Sequence, residues 1–126
     1  MDAAQALADL REISSQIEAA VIVDEVGTVS GSTTADGGAL ASAGNALLDA
    51  AERIHGSRPV QLEAATAVGS VFVFGDGKRT IVATTGPQPT VGLVFYDLKS
   101  CLHSVEPPKP KRTRAPRKKP NPRDEA

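Results

Sequence analysis

The chain has 126 residues, enough for one domain of ordinary size, and a formal charge of −1 that hides a basic end on an acidic body: residues 1–105 sum to −6 and residues 106–126 to +5. Cys101 is the only cysteine, so an intramolecular disulfide is excluded. No apolar run approaches the ~18 residues of a membrane span and Met1-Asp2 opens no basic signal region, so a cytoplasmic protein is expected.

A first helix is expected over residues 2–18, where Leu7, Leu10, Ile13 and Ile17 share one face with Ala3 and Ala6 beside them. Residues 19–24 are an apolar run rich in Val and Ile, the composition of a buried central strand. Asp24-Glu25-Val26-Gly27 reads as a turn in which Gly27 is free to take positive φ. Residues 28–33 return as a second strand, small and polar, toward an edge of the sheet.

The longest helix follows over residues 39–53, with Thr34 and Asp36 as candidate N-caps and His55-Gly56 as its stop. Leu40, Gly44, Leu47, Ala51 and Ile54 are spaced 4, 3, 4, 3 and so fall on one face, which Ala41, Leu48 and Ala50 widen. A glycine in a helix interior costs roughly 1 kcal/mol against alanine, and the close approach of another backbone is a reason to keep Gly44. The breadth of the stripe suggests two contact surfaces, one on a sheet and one on a partner.

Arg58-Pro59 opens a third strand, and Pro59 suits an edge, where its missing donor faces outward. Val60, Leu62 and Ala64 alternate there with Gln61, Glu63 and Ala65. Residues 69–75 form a fourth strand with Val71 and Val73 on one face and Phe72 and Phe74 on the other, so it belongs in the sheet interior. Asp76-Gly77 is a hairpin signal, and residues 78–85 are the fifth strand. Gly86-Pro87-Gln88-Pro89 breaks the pattern; Thr90 then caps a final helix in which Val91, Val94, Phe95, Leu98, Leu102 and Val105 recur. The order α-β-β-α-β-β-β-α makes an α/β (α+β) fold, a five-stranded antiparallel sheet with helices on both faces.

That order resembles the roadblock family, the dynein light-chain and GTPase-regulator fold. The carrying stretches are Ala20-Val21-Ile22-Val23-Asp24-Glu25-Val26-Gly27, Gly69-Ser70-Val71-Phe72-Val73-Phe74 and Val91-Gly92-Leu93-Val94-Phe95-Tyr96-Asp97-Leu98, and the likeness spans about residues 5–105. It looks most like the stand-alone bacterial members. The resemblance implies a roadblock/profilin-like domain over residues 1–105 and a homodimer. In that dimer the central helix and third strand would pair with their symmetry mates into one ten-stranded sheet. The pairing surface here would be Leu40, Gly44, Leu47, Ala51, Ile54, Val60, Leu62 and Ala64. The resemblance also implies a partner, a small Ras-like GTPase that the dimer activates or scaffolds.

No constellation points to catalysis, a metal or a cofactor. The run Phe74-Gly75-Asp76-Gly77-Lys78-Arg79-Thr80 fails as a phosphate loop, because Phe72 stands where the first Gly is needed and Arg79 where Ser or Thr should follow the Lys. His55 and His103 share no ligand spacing, and Cys101 falls near the apolar face of the last helix, where a packed thiol is expected. Asp24 and Glu25 read as solvated turn carboxylates. Arg53 and Arg58 are the candidate GTPase contacts, since an arginine beside a phosphoryl group stabilises transition-state charge.

Residues 106–126 hold six of the nine prolines and eight of the 14 Lys and Arg, so a disordered tail is expected. Lys109, Lys111, Arg112, Arg114, Arg117, Lys118, Lys119 and Arg123 form a candidate polyanion-binding set, for nucleic acid or anionic lipid. The same charge also suits the chain's own acidic body. No aromatic interleaves these cations, so base stacking has no support in the tail. The alternative function is therefore a nucleic-acid- or anionic-surface-associated protein acting through the tail, for which Phe72 and Phe74 at i, i+2 offer a stacking pair only if their strand were exposed.

Overall fold

A computed structural model describes residues 1–106; the expected tail from residue 107 lies outside the described residues. The elements are α1 (Ala3–Ile13), β1 (Ile17–Val23), β2 (Val29–Ser32), α2 (Gly37–His55), β3 (Gln61–Ala65), β4 (Ser70–Gly75), β5 (Thr80–Thr85) and α3 (Val91–Ser104). The strands form one antiparallel sheet in the order β2-β1-β5-β4-β3. The element order is the expected one, β2 and β3 are the edges, and β4 is interior.

The first helix ends earlier than its apolar spacing predicts. Asp2 caps it, its carboxylate accepting from the Gln5 N–H at 2.8 Å, but it stops at Ile13. Ser14 and Ser15 are weak helix formers that compete for the backbone, and the β-branched run beyond them is better served by the sheet. Ile13 is left 69% exposed while Ile17 is buried as the first residue of β1. A register irregularity between Ile17 and Ala19 sets Ile17 on the same face as Ala20 and Ile22.

The sheet is covered unequally. On one face α1 and α3 bury sixteen residues in a single cluster, centred on Leu7, Leu10, Phe72, Ile81, Leu98 and Leu102. Phe95 closes it with an edge-to-face contact on Phe72, ring centroids 5.0 Å apart. On the other face α2 lies alone, and the buried cluster there is Val21, Val23, Leu48, Val73 and Val82, with Leu40, Ala41, Leu47, Leu62 and Val71 half-buried at its margin. The pleat of β4 divides its side chains as expected: Phe72 and Phe74 enter the large core, Val71 and Val73 the small one.

Helix α2 is nineteen residues long yet buries only Gly37, Gly44 and Leu48. Its end is well defined. Gly56 takes a left-handed φ of 74° and donates its N–H to Glu52 O at 2.7 Å. Asp36 stands at the N-cap position, although its side chain makes no capping bond. Gly44 explains how the helix comes so near: a methyl group there would overlap Cγ1 and Cγ2 of Val82 on β5. The close approach is therefore to the chain's own sheet.

Candidate functional site

Three connections meet at one end of the sheet beside the middle of α2, where Ala41, Asn45 and Leu48 line the space between them. They are the β1–β2 turn at residues 24–27, the β4–β5 turn at 76–79 and the α2–β3 link at 56–60. Both turns have the same construction. Asp24 Oδ1 accepts from the N–H groups of Val26 and Thr28 at 3.0 and 2.9 Å, and Gly27 follows at φ 90°. Asp76 Oδ1 accepts from Lys78 and Arg79 at 2.9 and 2.8 Å, with Gly77 at φ 93°.

Burial works to raise the pKa of the Asp76 carboxyl. The backbone N–H bonds from Arg79 and Lys78, with the Arg79 charge, outweigh that and hold it below the ordinary carboxylate value. Arg79 also donates from Nη1 to Val105 O at 2.8 Å, tying this turn to the end of α3.

Between the three connections and α2 lies a cleft of about 500 Å³. Leu48, Val23 and Val82 line its apolar part, and Asp24, Glu25 and Lys78 are among its charged residues. Two exposed valines stand at it, Val26 at 81% and Val60 at 63% exposure. Sequence reading did not find this cleft, because its walls come from turns far apart in the chain.

Arg58, at the cleft, is engaged. Its guanidinium donates to Asp49 Oδ1 at 2.7 Å, Glu52 Oε1 at 2.9 Å and Asn45 Oδ1 at 3.0 Å. The hydrogen bonds to Asp49 and Glu52 raise its pKa further. Asn45, Asp49 and Glu52 are spaced 4 and 3 along α2, so the helical stripe that receives Arg58 is visible in the sequence once the helix is drawn. Arg53 is exposed in the last turn of α2, beside Asp49, Glu52 and Gly56 in a shallow depression.

The eight expected pairing residues divide into three groups. Ile54 (77% exposed) and Val60 are open to solvent, while Leu40, Leu47 and Leu62 are half-buried at the rim of the small core and Ala51 and Ala64 are half-buried. Gly44 is buried against Val82 and faces inward. Exposed Ala39, Ala43 and Ala46 continue the outer side of α2 with small side chains. Among the described residues the outer edge of β3 is unpaired.

Cys101 is buried, donates its thiol to Ala6 O at 3.5 Å, and is pushed up by burial to about 11. His103 lies against Phe74, ring centroids 6.4 Å apart. Among the described residues no group of three or more His, Cys, Asp and Glu side chains is placed to hold a metal ion. Nor is any helix among them long and apolar enough to cross a membrane. Phe72 and Phe74 are buried, which removes the stacking pair of the nucleic-acid reading. The eight tail cations, Lys109 to Arg123, lie outside the described residues.

No protein-family model matches the sequence, and no curated protein is similar to it. Solved structures are. The chain is similar to a Roadblock/LC7 domain from Streptomyces avermitilis, at 17% identity and TM-score 0.69, over 82% of this chain and 94% of that one. It is similar to the gliding protein mglB of Thermus thermophilus, at 20% identity and TM-score 0.62, over 79% and 82%. It is also similar to Myxococcus xanthus MglB, at 18% identity and TM-score 0.57, over 79% and 84%. The fold of this chain is the roadblock fold.

Proposed function

We propose that the chain is a non-catalytic, homodimeric cytoplasmic platform that binds a small Ras-like GTPase and regulates or positions it. Residues 1–105 form the roadblock unit in this reading, and residues 106–126 are a basic extension. The observation that carries it is the thin cover on one face of the sheet. Helix α2 buries three of its nineteen residues, and it lies alone where the opposite face has two helices. Ile54 and Val60 are exposed to solvent, and the outer edge of β3 is unpaired among the described residues. The small residues Ala39, Ala43 and Ala46 allow a second helix to come close.

The platform acts by contact. Arg58 is already held by three acceptors on α2, so its place is structural, whereas Arg53 is exposed and available to a partner. The GTPase is supported by the roadblock fold and the resemblance described above. The test is capture of purified Ras-like GTPases from the same cell, in both nucleotide states, together with their rate of GTP hydrolysis. Binding of one of them with a change in hydrolysis or placement is expected; no binding to any would end this reading.

A further inference from the structure

We infer that the seam between α1 and α3, on the face of the sheet away from α2, is a docking groove for a basic amphipathic helix of another protein. An Arg or Lys of that helix pairs with Asp97, and an aliphatic side chain rests on Ile13 and Leu93. The groove is separate from α2 and β3, so it stands whether or not a GTPase binds there.

The two helices run antiparallel. At one end the Glu106 N–H donates to Met1 O at 2.9 Å, and at the other the Thr90 N–H donates to Gln16 Oε1 at 2.6 Å. Between these ends the Cys101 thiol donates to Ala6 O at 3.5 Å, which fixes the level of one helix against the other. One helical turn, about 5.4 Å, from that contact brings Asp97 of α3 level with Asp9 and Leu10 of α1. A further turn brings Leu93 level with Ile13.

Asp97 is the anomaly at the seam. It is 8% exposed and belongs to the buried stripe of α3 with Val94, Leu98 and Cys101. Its carboxylate takes no hydrogen bond or ion pair from any described side chain. A buried carboxylate without a partner costs stability, and no described residue offsets that cost. Asp9 accepts from Gln5 Nε2 at 2.9 Å, but neither it nor Glu12 makes an ion pair among the described residues.

The nearest cations are turned away. Arg11 shares with Ala4 the flank of α1 toward β2, whose Gly31 lies against Ala3 and Ala4. Lys99 shares with Phe95 the flank of α3 toward β4, where Phe95 meets Phe72. The seam is therefore acidic at its centre, and a cation complements it. Ile13, 69% exposed, and Leu93, 49% exposed, give it an apolar end one turn away. That end selects a protein helix over a free cation: Arg at one position and Leu four residues along match the spacing from Asp97 to Leu93.

The test is amide chemical-shift mapping of the isotope-labelled full chain with a capped, alanine-rich helical peptide carrying one Arg and a Leu four residues after it. Shifts are expected at Asp9, Ile13, Leu93 and Asp97, and not at Ile54 or Val60. Replacing the peptide Arg by Gln should weaken binding about tenfold, and so should Asp97→Asn, each removing one charged hydrogen bond. Asp9→Asn, at a half-buried position outside the core, gives a second measurement that does not disturb the buried stripe. No shift at millimolar peptide, equal binding of the Arg and Gln peptides, or indifference to both Asp changes overturns the proposal. So do shifts confined to α2 and β3. Shifts at the seam that grow with protein concentration without peptide would assign this face to a second copy, and overturn it as well.

Discussion

Replacing Gly44 by Ala sets two effects of known sign against each other. An alanine in a helix interior gains roughly 1 kcal/mol over glycine from propensity alone. Against that, the added methyl overlaps both γ-carbons of Val82. Val82 is 1% exposed on the central strand β5, and a β-branched side chain has little freedom at χ1, so the helix must lift instead. Overpacking of that kind costs about 1–3 kcal/mol, which leaves a net loss of about 0–2 kcal/mol and a melting temperature lower by several degrees, at roughly 4–8 °C per kcal/mol for a domain of this size. Urea unfolding followed by circular dichroism measures it, with an unchanged m-value expected. The Gly44→Ala, Val82→Ala cycle should show favourable coupling of about 0.5–3 kcal/mol, because the shortened Val82 makes room for the methyl. If Gly44→Ala stabilised the protein by the full propensity gain, or the two changes were additive, the close helix–sheet approach would be refuted.

Arg58→Gln should lower stability by less than about 1 kcal/mol, since its ion pairs are exposed, and should leave any stimulation of GTP hydrolysis intact; a large loss of stimulation would make Arg58 a direct contact. Asp76 is held below the ordinary carboxylate value in the fold, so the unfolded chain binds its proton more readily; its contribution is present above about pH 4 and is lost as pH falls further. Asp76→Asn should therefore destabilise at pH 7 and flatten the acid limb of the stability curve. Cys101 has the opposite sign of dependence. Its thiol is raised from 9.0 to about 11, so the neutral form is favoured in the fold and stability falls as pH rises through that interval. Native protein at pH 8 should react slowly with an aromatic disulfide reagent and quickly once unfolded; fast native labelling would show the thiol to be accessible.

Most of the architecture was legible because side-chain period and burial agree. In β4, Val71 and Val73 alternate with Phe72 and Phe74, and both faces prove to be covered. The Asp76-Gly77 pair marks a turn that the Asp76 carboxylate and Gly77 φ together close. The spacing of Leu7, Leu10, Ile13 and Ile17 misled, because a 3.6-residue period continues by chance across Ser14-Ser15 while the sheet claims Ile17. On α2 the spacing groups Leu40, Gly44, Leu47, Ala51 and Ile54, yet Gly44 is drawn to the chain's own sheet while Ile54 is exposed, since periodicity groups residues without saying what they meet. Arg58 was singled out from the sequence as a candidate contact, but its engagement on α2 and the cleft beside it were not foreseen. Their partners are 6 to 13 residues away or further, and only the folded geometry of three turns brings them together.

Pairing of two chains through α2 and β3 is the claim on which the proposed function stands. Sedimentation equilibrium of the full chain at micromolar concentration tests it directly. A mass of twice 13.0 kDa is expected, falling to 13.0 kDa when exposed Ile54 is replaced by Asp without loss of the circular-dichroism signal. A mass of 13.0 kDa for the unaltered chain, or a dimer indifferent to Ile54→Asp and to Val60→Asp, would contradict it.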